Sequence, residues 1–320
     1  MSSVSERLYY DSPALTFAAE VTDIRLHSAE ADESGVKRQL WQIALDRTAF
    51  YPEGGGQPWD TGVLVATAPS GATLEVAVER VEEDEAGEVW HFVRKPLMAG
   101  TVIEGRVDAA RRMDHAQQHT GQHLLSAVFL RELGARTVSF HLSALKSGAE
   151  SSTIDLALAE GESALIAEDL ARVEDVVARE IYADRAMTPR WVSPEEAKAM
   201  LERGELRKLP EREGPMRIVT MEGIEHNACG GTHVGATGAI GGLLIRKVEK
   251  NKKAWRVEFV CGLRAVRAAR RDFALLGGVA RTLSVGAVDV PGRVEKLLEE
   301  RKALAKDVKR LTAGSRTSAG

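Results

Sequence analysis

The first hundred residues alternate between large apolar side chains and polar or small ones, which is the pattern of half-buried β-strands. The alternation is clearest over residues 73–79, where it is followed by an acidic turn and the apolar segment 89–93, so that a hairpin is predicted. Further strand-like segments lie at residues 17–24 and 62–66. We therefore expect a small antiparallel β-barrel domain over residues 1–107.

Near Asp108 the apolar residues change to helical spacing. Residues 109–133 contain no proline and predict one long helix, and an amphipathic helix is predicted over residues 163–182. Ser193, followed by proline and two acids, has the features of a helix start. Three strand-like segments follow, at residues 217–221, 241–250 and 254–261. This mixture predicts an α+β domain over residues 108–275.

The C-terminal part carries a narrow apolar stripe. Over residues 290–311 this stripe follows the spacing of a long, coiled-coil-like helix. Because such a stripe is buried only against another helix, we expect a homodimer through this helix. Residues 312–320 are small and polar and are predicted to form a disordered tail. The predicted fold class is α+β: an N-terminal barrel, an α+β domain and a C-terminal long helix.

The composition is that of a globular protein. Hydrophobic residues make up 44% of the chain and charged residues 28%, which excludes wholesale disorder and collagen-like repetition. The net charge of −4 provides no overall positive field, so nucleic acid would have to bind a local patch. No segment approaches the ~18 apolar residues of a membrane span. With only two cysteines, a disulfide framework is not expected, and we predict a cytosolic protein without a membrane partner.

Two separated pairs of residues have the chemistry of metal ligands. His119 and His123 are four apart, so that both project from one face of the predicted helix. Cys229 and His233 are also four apart, and the two glycines between them allow a tight turn. Together they suit tetrahedral Zn²⁺. Four protein ligands are typical of a structural site, whereas a catalytic zinc keeps one position open, and the sequence leaves both possibilities. A thermolysin-like site is excluded, because no glutamate follows His119.

Three consecutive glycines, Gly54, Gly55 and Gly56, precede Gln57. Such a run allows unusual backbone angles and the close approach of a ligand or another backbone segment, although it also occurs in mobile loops. The loop is not a phosphate-binding P-loop, because it lacks the Gly-Lys-Ser/Thr ending.

A basic cluster lies shortly after the Cys-His pair and begins with Arg246, Lys247 and Lys250. Charge runs are often only solvated surface. This one is long enough, and close enough to the candidate ligands in sequence, to hold a phosphate backbone beside a metal.

Beyond these individual features, the chain resembles the alanyl-tRNA editing proteins of the AlaX family, which are similar to the editing domain of alanyl-tRNA synthetase. Three segments carry the resemblance, namely 45–62 (LDRTAFYPEGGGQPWDTG), 114–127 (DHAQQHTGQHLLSA) and 228–234 (ACGGTHV). The resemblance implies a trans-acting aminoacyl-tRNA deacylase that hydrolyses Ser-tRNA(Ala), with Gly-tRNA(Ala) as a further candidate substrate, and spares Ala-tRNA(Ala).

The resemblance also implies roles for residues. His119, His123, Cys229 and His233 match the family's zinc ligands, the first three as part of the catalytic site. Thr48 matches the residue that senses the seryl hydroxyl.

Further substrate-binding positions follow from the same resemblance. It implies that Gly54–Gly56 and Gln57 pack the barrel against the catalytic domain beside the pocket. His141 lies in a segment that corresponds to a wall strand of that pocket. The partner would be tRNA(Ala) carrying the wrong amino acid, and Arg246, Lys247 and Lys250 are candidates for binding it.

Two alternatives remain at this point. A non-catalytic tRNA-binding module with a structural zinc would bind tRNA but leave every ester intact. A zinc or iron enzyme resembling S-ribosylhomocysteine lyase also places a His-x-x-x-His pair and a distant cysteine on one metal, but its pattern has glutamate where this chain has Gln122. Whether the zinc polarises the ester or positions the substrate is also open.

Overall fold

The strands of the N-terminal part form a closed antiparallel barrel, as their alternating pattern predicts. The structure is a computed structural model that describes residues 4–31, 37–144, 151–159, 164–211 and 214–317. The strands are β1 (Glu6–Arg7), β2 (Thr16–Ala31), β3 (Lys37–Leu45), β4 (Arg47–Thr48), β5 (Gly62–Thr67), β6 (Thr73–Glu83), β7 (Val89–Val93) and β8 (Val102–Val107). The barrel has the order β2, β3, β7, β6, β5, β8, and β1 pairs in parallel with β4.

Apolar side chains that alternate along these strands fill the barrel interior. Among them are Phe17, Ile43, Leu64, Val76 and Ile103. In β6 the alternation shifts at a bulge between Val78 and Arg80, so that Val81, rather than Arg80, continues the core. The period-two pattern therefore predicts the strand, but the bulge decides which side chains are buried.

The second part of the chain combines helices with two antiparallel sheets. Its elements are α1 (Ala109–Leu133), β9 (Arg136–His141), β10 (Ser152–Ala157), α2 (Ala167–Tyr182), β11 (Met187–Val192), α3 (Pro194–Glu202), β12 (Met216–Met221), β13 (Glu225–Ala228), β14 (Leu243–Asn251) and β15 (Ala254–Cys261). One sheet has the order β14, β15, β10, β9, and helices α1 and α2 pack on it. The other has the order β11, β12, β13.

Helix α1 has the bounds that the sequence predicts. The Asp108 side chain accepts hydrogen bonds from two backbone N–H groups of its first turn, and the left-handed Gly134 ends it. Helix α2 begins at Ala167, four residues after the predicted start, which lies outside the described residues. Ser193 caps α3 as predicted, accepting from the backbone N–H of Glu196 at 3.2 Å.

In the barrel the pattern gave no separate segment for β3 or β8, and in the second part of the chain it missed β10, β11 and β13. Strand β11 contains Pro189 and exposed polar residues, because it lies at the edge of its sheet, and β13 has only four residues. Neither strand therefore shows a period of two.

The structure divides into two compact units, Met1–Ala265 and Val266–Gly320. The boundaries predicted at residues 107 and 275 stay predictions. The second unit contains most of α4 (Gly262–Leu283) and all of α5 (Val290–Thr317). Helix α5 continues six residues past the predicted end at Leu311, which corrects the predicted disordered tail up to Thr317, and residues 318–320 lie outside the described residues.

Helix α5 exposes the apolar residues of the predicted stripe, including Val294, Leu298, Leu304, Val308 and Leu311. The homodimer through this helix stays a prediction. Among the described residues, no single helix is long and apolar enough to cross a membrane, and the only candidate is the α4–α5 pair, bent by 77°, on length and composition alone.

Candidate metal centre

Four side chains from two distant segments converge inside the first unit. His119 and His123 lie on consecutive turns of α1, and Cys229 and His233 lie on the loop that follows β13. The candidate ligand atoms of these four residues all lie within 4.8 Å of one another. The Sγ atom of Cys229 is 3.5 Å from Nε2 of His119 and 3.3 Å from Nε2 of His233. The structure thus brings together the four residues that the sequence pattern indicated.

The loop reaches α1 because one of its glycines has no side chain. A Cβ atom on Gly231 would lie 2.1 Å from Cε1 of His119, a distance that no real Cβ adopts. Arg217, in β12, holds the same loop from the other side. Its Nη1 donates to the carbonyl oxygens of Cys229 at 2.9 Å and Gly231 at 3.0 Å. The loop is therefore held in position by the protein itself.

Gln57 connects the glycine loop of the barrel to this cluster. Its side-chain Oε1 accepts from Nδ1 of His119 at 2.8 Å and from the backbone N–H of Thr232 at 3.0 Å. Its Nε2 donates to the Thr232 hydroxyl at 2.9 Å. Because Nδ1 of His119 donates to an amide oxygen, Nε2 of the neutral ring carries the lone pair that faces Cys229.

The other two imidazoles are anchored in the same way. Nδ1 of His123 lies 3.3 Å from Oε1 of Glu225, whose other oxygen is paired with Arg207. Nδ1 of His233 lies 3.2 Å from the Thr120 hydroxyl. Partners of this kind fix the tautomer and the ring orientation of metal-binding histidines.

These residues fit a zinc ion. Three rings each use Nδ1 for an outer hydrogen bond and leave Nε2 for the centre of the cluster. In a tetrahedral site with bonds of ~2.0–2.3 Å, neighbouring ligand atoms are ~3.3–3.8 Å apart. The distances from Cys229 Sγ to the two Nε2 atoms, 3.5 and 3.3 Å, agree with that spacing. The group is positioned to bind a metal.

The electrostatics of the cluster favour a thiolate. Burial opposes ionisation of Cys229, yet the imidazoles of His119 and His233 hold the pKa of its thiol well below the usual range. Burial lowers the pKa of His233 to about 3, so this ring is neutral near pH 7. Burial also disfavours charge on His123, but Cys229 and Glu225 raise the pKa of His123 to about 9. A thiolate and neutral rings are the forms that bind metal, and on His123 a metal competes with a proton.

Thr48 lies outside the cluster, within the barrel, and its side chain is fully buried. Nδ1 of His91 donates to the carbonyl oxygen of Ile43 at 3.0 Å, so Nε2 of the same ring accepts from the Thr48 hydroxyl at 2.8 Å. The hydroxyl oxygen in turn accepts from the backbone N–H of Phe50 at 3.1 Å. The hydroxyl predicted to sense the substrate is thus already paired as donor and acceptor, and its sensing role stays a prediction.

The glycine loop packs against β9. Gly56 has a φ of +79°, and a Cβ atom there would lie 2.7 Å from the ring of Phe140. Its carbonyl oxygen accepts from the backbone N–H of Leu142 at 3.2 Å. The neighbouring Gly55 also has a positive φ, +55°, and Gly54 forms a bridge with Gln57. The loop therefore joins the barrel to the strand beside the cluster.

The remaining predicted site residues lie elsewhere. His141 is exposed at the end of β9, opposite Thr153. Arg246, Lys247 and Lys250 lie on β14, an edge strand, and Nζ of Lys247 is 2.6 Å from Oε2 of Glu249. The structure does not bring any of these four into the cluster, and their roles stay predictions.

Sequence reasoning missed the residues that hold the ligands in place. Glu225, Arg217 and Thr120 show no distinctive spacing, and each resembles an ordinary polar residue of a strand or helix. Thr120 lies between the two histidines of α1, and this adjacency was the only available signal.

Comparisons with known proteins relate the chain to proteins of tRNA aminoacylation and editing. Residues 1–111 match the family model described as tRNA synthetases class II (A), and residues 216–258 match the threonyl and alanyl tRNA synthetase second additional domain. The second match includes Glu225 and Cys229 of the cluster region.

The relatives cover nearly the whole chain. The alanyl-tRNA editing protein Aarsd1 of Mus musculus is 32% identical over 302 residues, which make up 93% of this chain and 68% of that protein. The chain belongs to the alanyl-tRNA editing protein family. The Bos taurus member is 32% identical over 94% of this chain and 64% of its own length.

A longer relative shares the same region. The alanine–tRNA ligase of Pyrococcus furiosus is 32% identical over 84% of this chain, but this match covers only 28% of the ligase. The chain thus spans about two thirds of the length of the editing proteins and a quarter to a third of the ligase.

Proposed function

We propose that this protein is a deacylase that removes serine from mischarged Ser-tRNA(Ala), with Gly-tRNA(Ala) as a further substrate, and that it spares Ala-tRNA(Ala). The observation that carries the proposal is the convergence of His119, His123, Cys229 and His233 beside the glycine loop of the barrel. Membership of the alanyl-tRNA editing family supports tRNA as the substrate. The metal we propose is zinc, because the mixed imidazole and thiolate donors suit it.

The reaction adds water to the carbonyl carbon of the aminoacyl ester and breaks the bond from that carbon to the ribose oxygen, which leaves as a hydroxyl. Such an ester is already activated, so catalysis requires positioning and electrostatic stabilisation rather than a covalent intermediate. A zinc ion held by the cluster would supply the polarisation of the carbonyl or of the water.

The protein's own contribution is rigidity. Gln57, Glu225 and Thr120 each hold one imidazole by its outer nitrogen. Arg217 holds the loop that carries Cys229. With these side chains fixed before the substrate arrives, little reorganisation is needed during the reaction.

A second candidate function has one observation in its favour. Four protein ligands are typical of a structural zinc site, which would make the protein a tRNA-binding module without hydrolytic activity. The lyase alternative has no comparable support, whereas the relatives described above are editing proteins and an alanine–tRNA ligase.

The test is to incubate the purified protein with Ser-, Gly- and Ala-tRNA(Ala), with and without a metal chelator. We expect hydrolysis of the first two esters, survival of the third, and loss of activity with chelator. A module with structural zinc would retain tRNA with a steep salt dependence while every ester survives.

The basic residues on β14 are proposed to hold the tRNA backbone. Lys247→Ala combined with Lys250→Ala should weaken tRNA binding about 3- to 10-fold and lower its dependence on salt. Lys198→Ala, which removes an exposed lysine of α3, serves as the control. Equal effects of the two changes would exclude a specific role for β14.

A further inference from the structure

A cavity of about 410 Å³ opens beside the metal centre. Its lining includes His233, one of the four candidate ligands, and Thr232, whose hydroxyl contacts Gln57. The lining also includes Met113 of α1, which is 49% exposed, so the cavity connects the protein surface with the cluster. Its volume falls within the range of ~300–1,000 Å³ that is typical of binding sites for small molecules.

Two neighbouring cavities are less suited to a ligand of that size. One, of about 140 Å³, is lined by Cys229 but is too small for a nucleoside. The other, of about 360 Å³, is lined by polar residues such as Glu6 and Ser12 and by none of the four candidate ligands. Tyr10 lines all three cavities. The cavity of 410 Å³ is therefore the one of the three that combines sufficient size with contact to the metal centre.

The walls of this cavity are mostly apolar. Tyr9 and Tyr10 contribute aromatic rings whose centroids are 4.7 Å apart, and Met113 and Met187 contribute flexible, polarisable side chains. Aromatic side chains bind nucleobases by stacking, whatever the base, because every base has a π-face. A purine base therefore matches the chemistry of these walls.

Arg217 adds a positive charge to the same lining. The residue is 7% exposed, and its Nε and Nη1 atoms donate to the carbonyl oxygens of Tyr10, Cys229 and Gly231. Nη2, by contrast, has no acceptor among the described residues, although it is not sealed from solvent. Because the three carbonyl oxygens are uncharged, an anion bound at Nη2 would compensate the buried charge, and a guanidinium N–H suits a phosphate oxygen.

We propose that this cavity binds the terminal adenosine of the tRNA, and that Nη2 of Arg217 donates to the phosphate on the 5′ side of that nucleoside. The inference rests on the proposed deacylase function, since a tRNA carries its amino acid on the ribose of this adenosine. The base packs against the aromatic and methionine side chains, the phosphate lies at Arg217, and the ribose that bears the ester lies beside His233. The cavity thereby directs the ester to the metal centre.

The experiment uses adenosine 5′-monophosphate (AMP) as the probe and measures its binding to the metal-loaded protein by isothermal titration calorimetry. Two exposed alanines in the first turn of α1 form a matched pair, because Ala109 lines the cavity and Ala110 does not. Ala109→Trp should fill the mouth of the cavity and weaken AMP binding by about 5- to 150-fold, the range that corresponds to the loss of one stacked base. Ala110→Trp should bind AMP as the wild type does.

The same pair is compared in the deacylation assay, where KM for Ser-tRNA(Ala) should rise in Ala109→Trp and stay unchanged in Ala110→Trp. Equal AMP affinities in the two variants would overturn the assignment of the cavity. Circular dichroism and metal content establish that each variant is folded and loaded. If Ala109→Trp does not fold, Met113→Trp, at a second exposed position of the lining, takes its place.

A comparison of AMP with adenosine tests the contact of Arg217 with phosphate. The wild type should bind AMP about 10-fold more tightly than adenosine. Arg217→Gln keeps an N–H donor for the loop but loses the charge, so it should bring the ratio of the two affinities close to one. A purely structural role of Arg217 would weaken both ligands alike, and an unchanged ratio would overturn the contact with phosphate.

The assays distinguish this inference from the deacylase function. A wild-type protein that hydrolyses neither Ser-tRNA(Ala) nor Gly-tRNA(Ala) would overturn the deacylase function, whatever its affinity for AMP. A wild type that hydrolyses Ser-tRNA(Ala), together with an Ala109→Trp variant of normal KM and normal AMP affinity, would overturn the adenosine site and leave the deacylase function intact.

Discussion

Buried histidines in two regions of this protein have opposite arrangements. In the barrel, His91 uses both ring nitrogens on protein partners, the Thr48 hydroxyl and the carbonyl oxygen of Ile43. In the metal centre, His119 and His233 use Nδ1 on protein partners and direct Nε2 to the sulfur of Cys229. The His91 ring is bound on both sides by groups that cannot share a metal with it. The rings of His119 and His233 instead direct a potential metal-binding nitrogen to the same sulfur atom.

This difference shows that burial by itself does not mark a functional histidine. Burial lowers the pKa of His91 to about 4 and that of His233 to about 3, so both rings are neutral near pH 7. What separates them is the partner of Nε2, which is the Thr48 hydroxyl for His91 and the Cys229 sulfur for His233. A ring held between a hydroxyl and a carbonyl oxygen stabilises the fold, whereas a ring whose Nε2 faces a thiolate can bind a metal together with that sulfur.

The largest effect is expected where the metal centre loses its sulfur. Cys229→Ala should weaken metal binding and lower deacylation, each by at least about 100-fold, because it removes the thiolate and leaves three neutral imidazoles on the ion. Elemental analysis of the purified protein and the Ser-tRNA(Ala) assay measure the two outcomes. Cys261→Ala is the matched control, since burial raises the pKa of that thiol and Cys261 is not one of the four residues of the cluster. Undiminished activity in metal-free Cys229→Ala would show that metal plays no part in catalysis.

The next prediction concerns the pH dependence of stability that the buried His91, paired with Thr48 in the barrel, should produce. Because the folded pKa of His91, about 4, is below its unfolded value of ~6.5, the unfolded state binds the proton more tightly. The stabilisation is complete above pH ~6.5 and is lost as the pH falls toward 4, by about 3 kcal/mol in total. His91→Gln cannot titrate, so the difference in unfolding free energy between variant and wild type should change across this window. Urea denaturation at several pH values gives the measurement, and parallel profiles would contradict it.

A smaller loss of metal affinity should follow from weakening the contact that orients His123. Glu225→Gln keeps a hydrogen-bond acceptor for His123 but removes the charge, and changes of this type cost about 10- to 100-fold in metal affinity. Competition with a chelating dye measures the affinity. Glu205→Gln alters a carboxylate that pairs with Arg203 outside the cluster and should leave the affinity unchanged. Equal affinities in the two variants would remove Glu225 from the metal centre.

The smallest effect concerns the loop that joins the two regions. Gly56→Ala and Gly71→Ala both place a side chain at a positive φ, +79° and +84°, so each should lose about 1–2 kcal/mol of stability. Only at Gly56 does the new Cβ meet a neighbour, the Phe140 ring at 2.7 Å. We therefore expect Gly56→Ala to be less stable than Gly71→Ala by about 1 kcal/mol, measured by urea denaturation. Indistinguishable midpoints would mean that the loop does not pack on β9 in solution.

Much of the fold follows from local patterns. Asp108 and Gly134 bound α1 because a side-chain cap and a left-handed residue act on adjacent backbone groups. The hairpin of β6 and β7 follows from alternation and an acidic turn. The bulge near Arg80 could not be predicted, because it depends on how neighbouring strands pair. The same holds for β13, whose four residues gain their strand character only from pairing with β12.

The sequence alone determined the candidate ligands, since residue type and spacing of four on a helix or across a glycine turn are local properties. It did not determine which polar groups hold them. Gln57 and His119 are 62 positions apart in the sequence, and Arg217 and Gly231 are 14 positions apart, so only the fold brings each pair into contact. Likewise, only the folded chain brings His91 to the Thr48 hydroxyl, because hydrogen-bond partners are set by proximity in space.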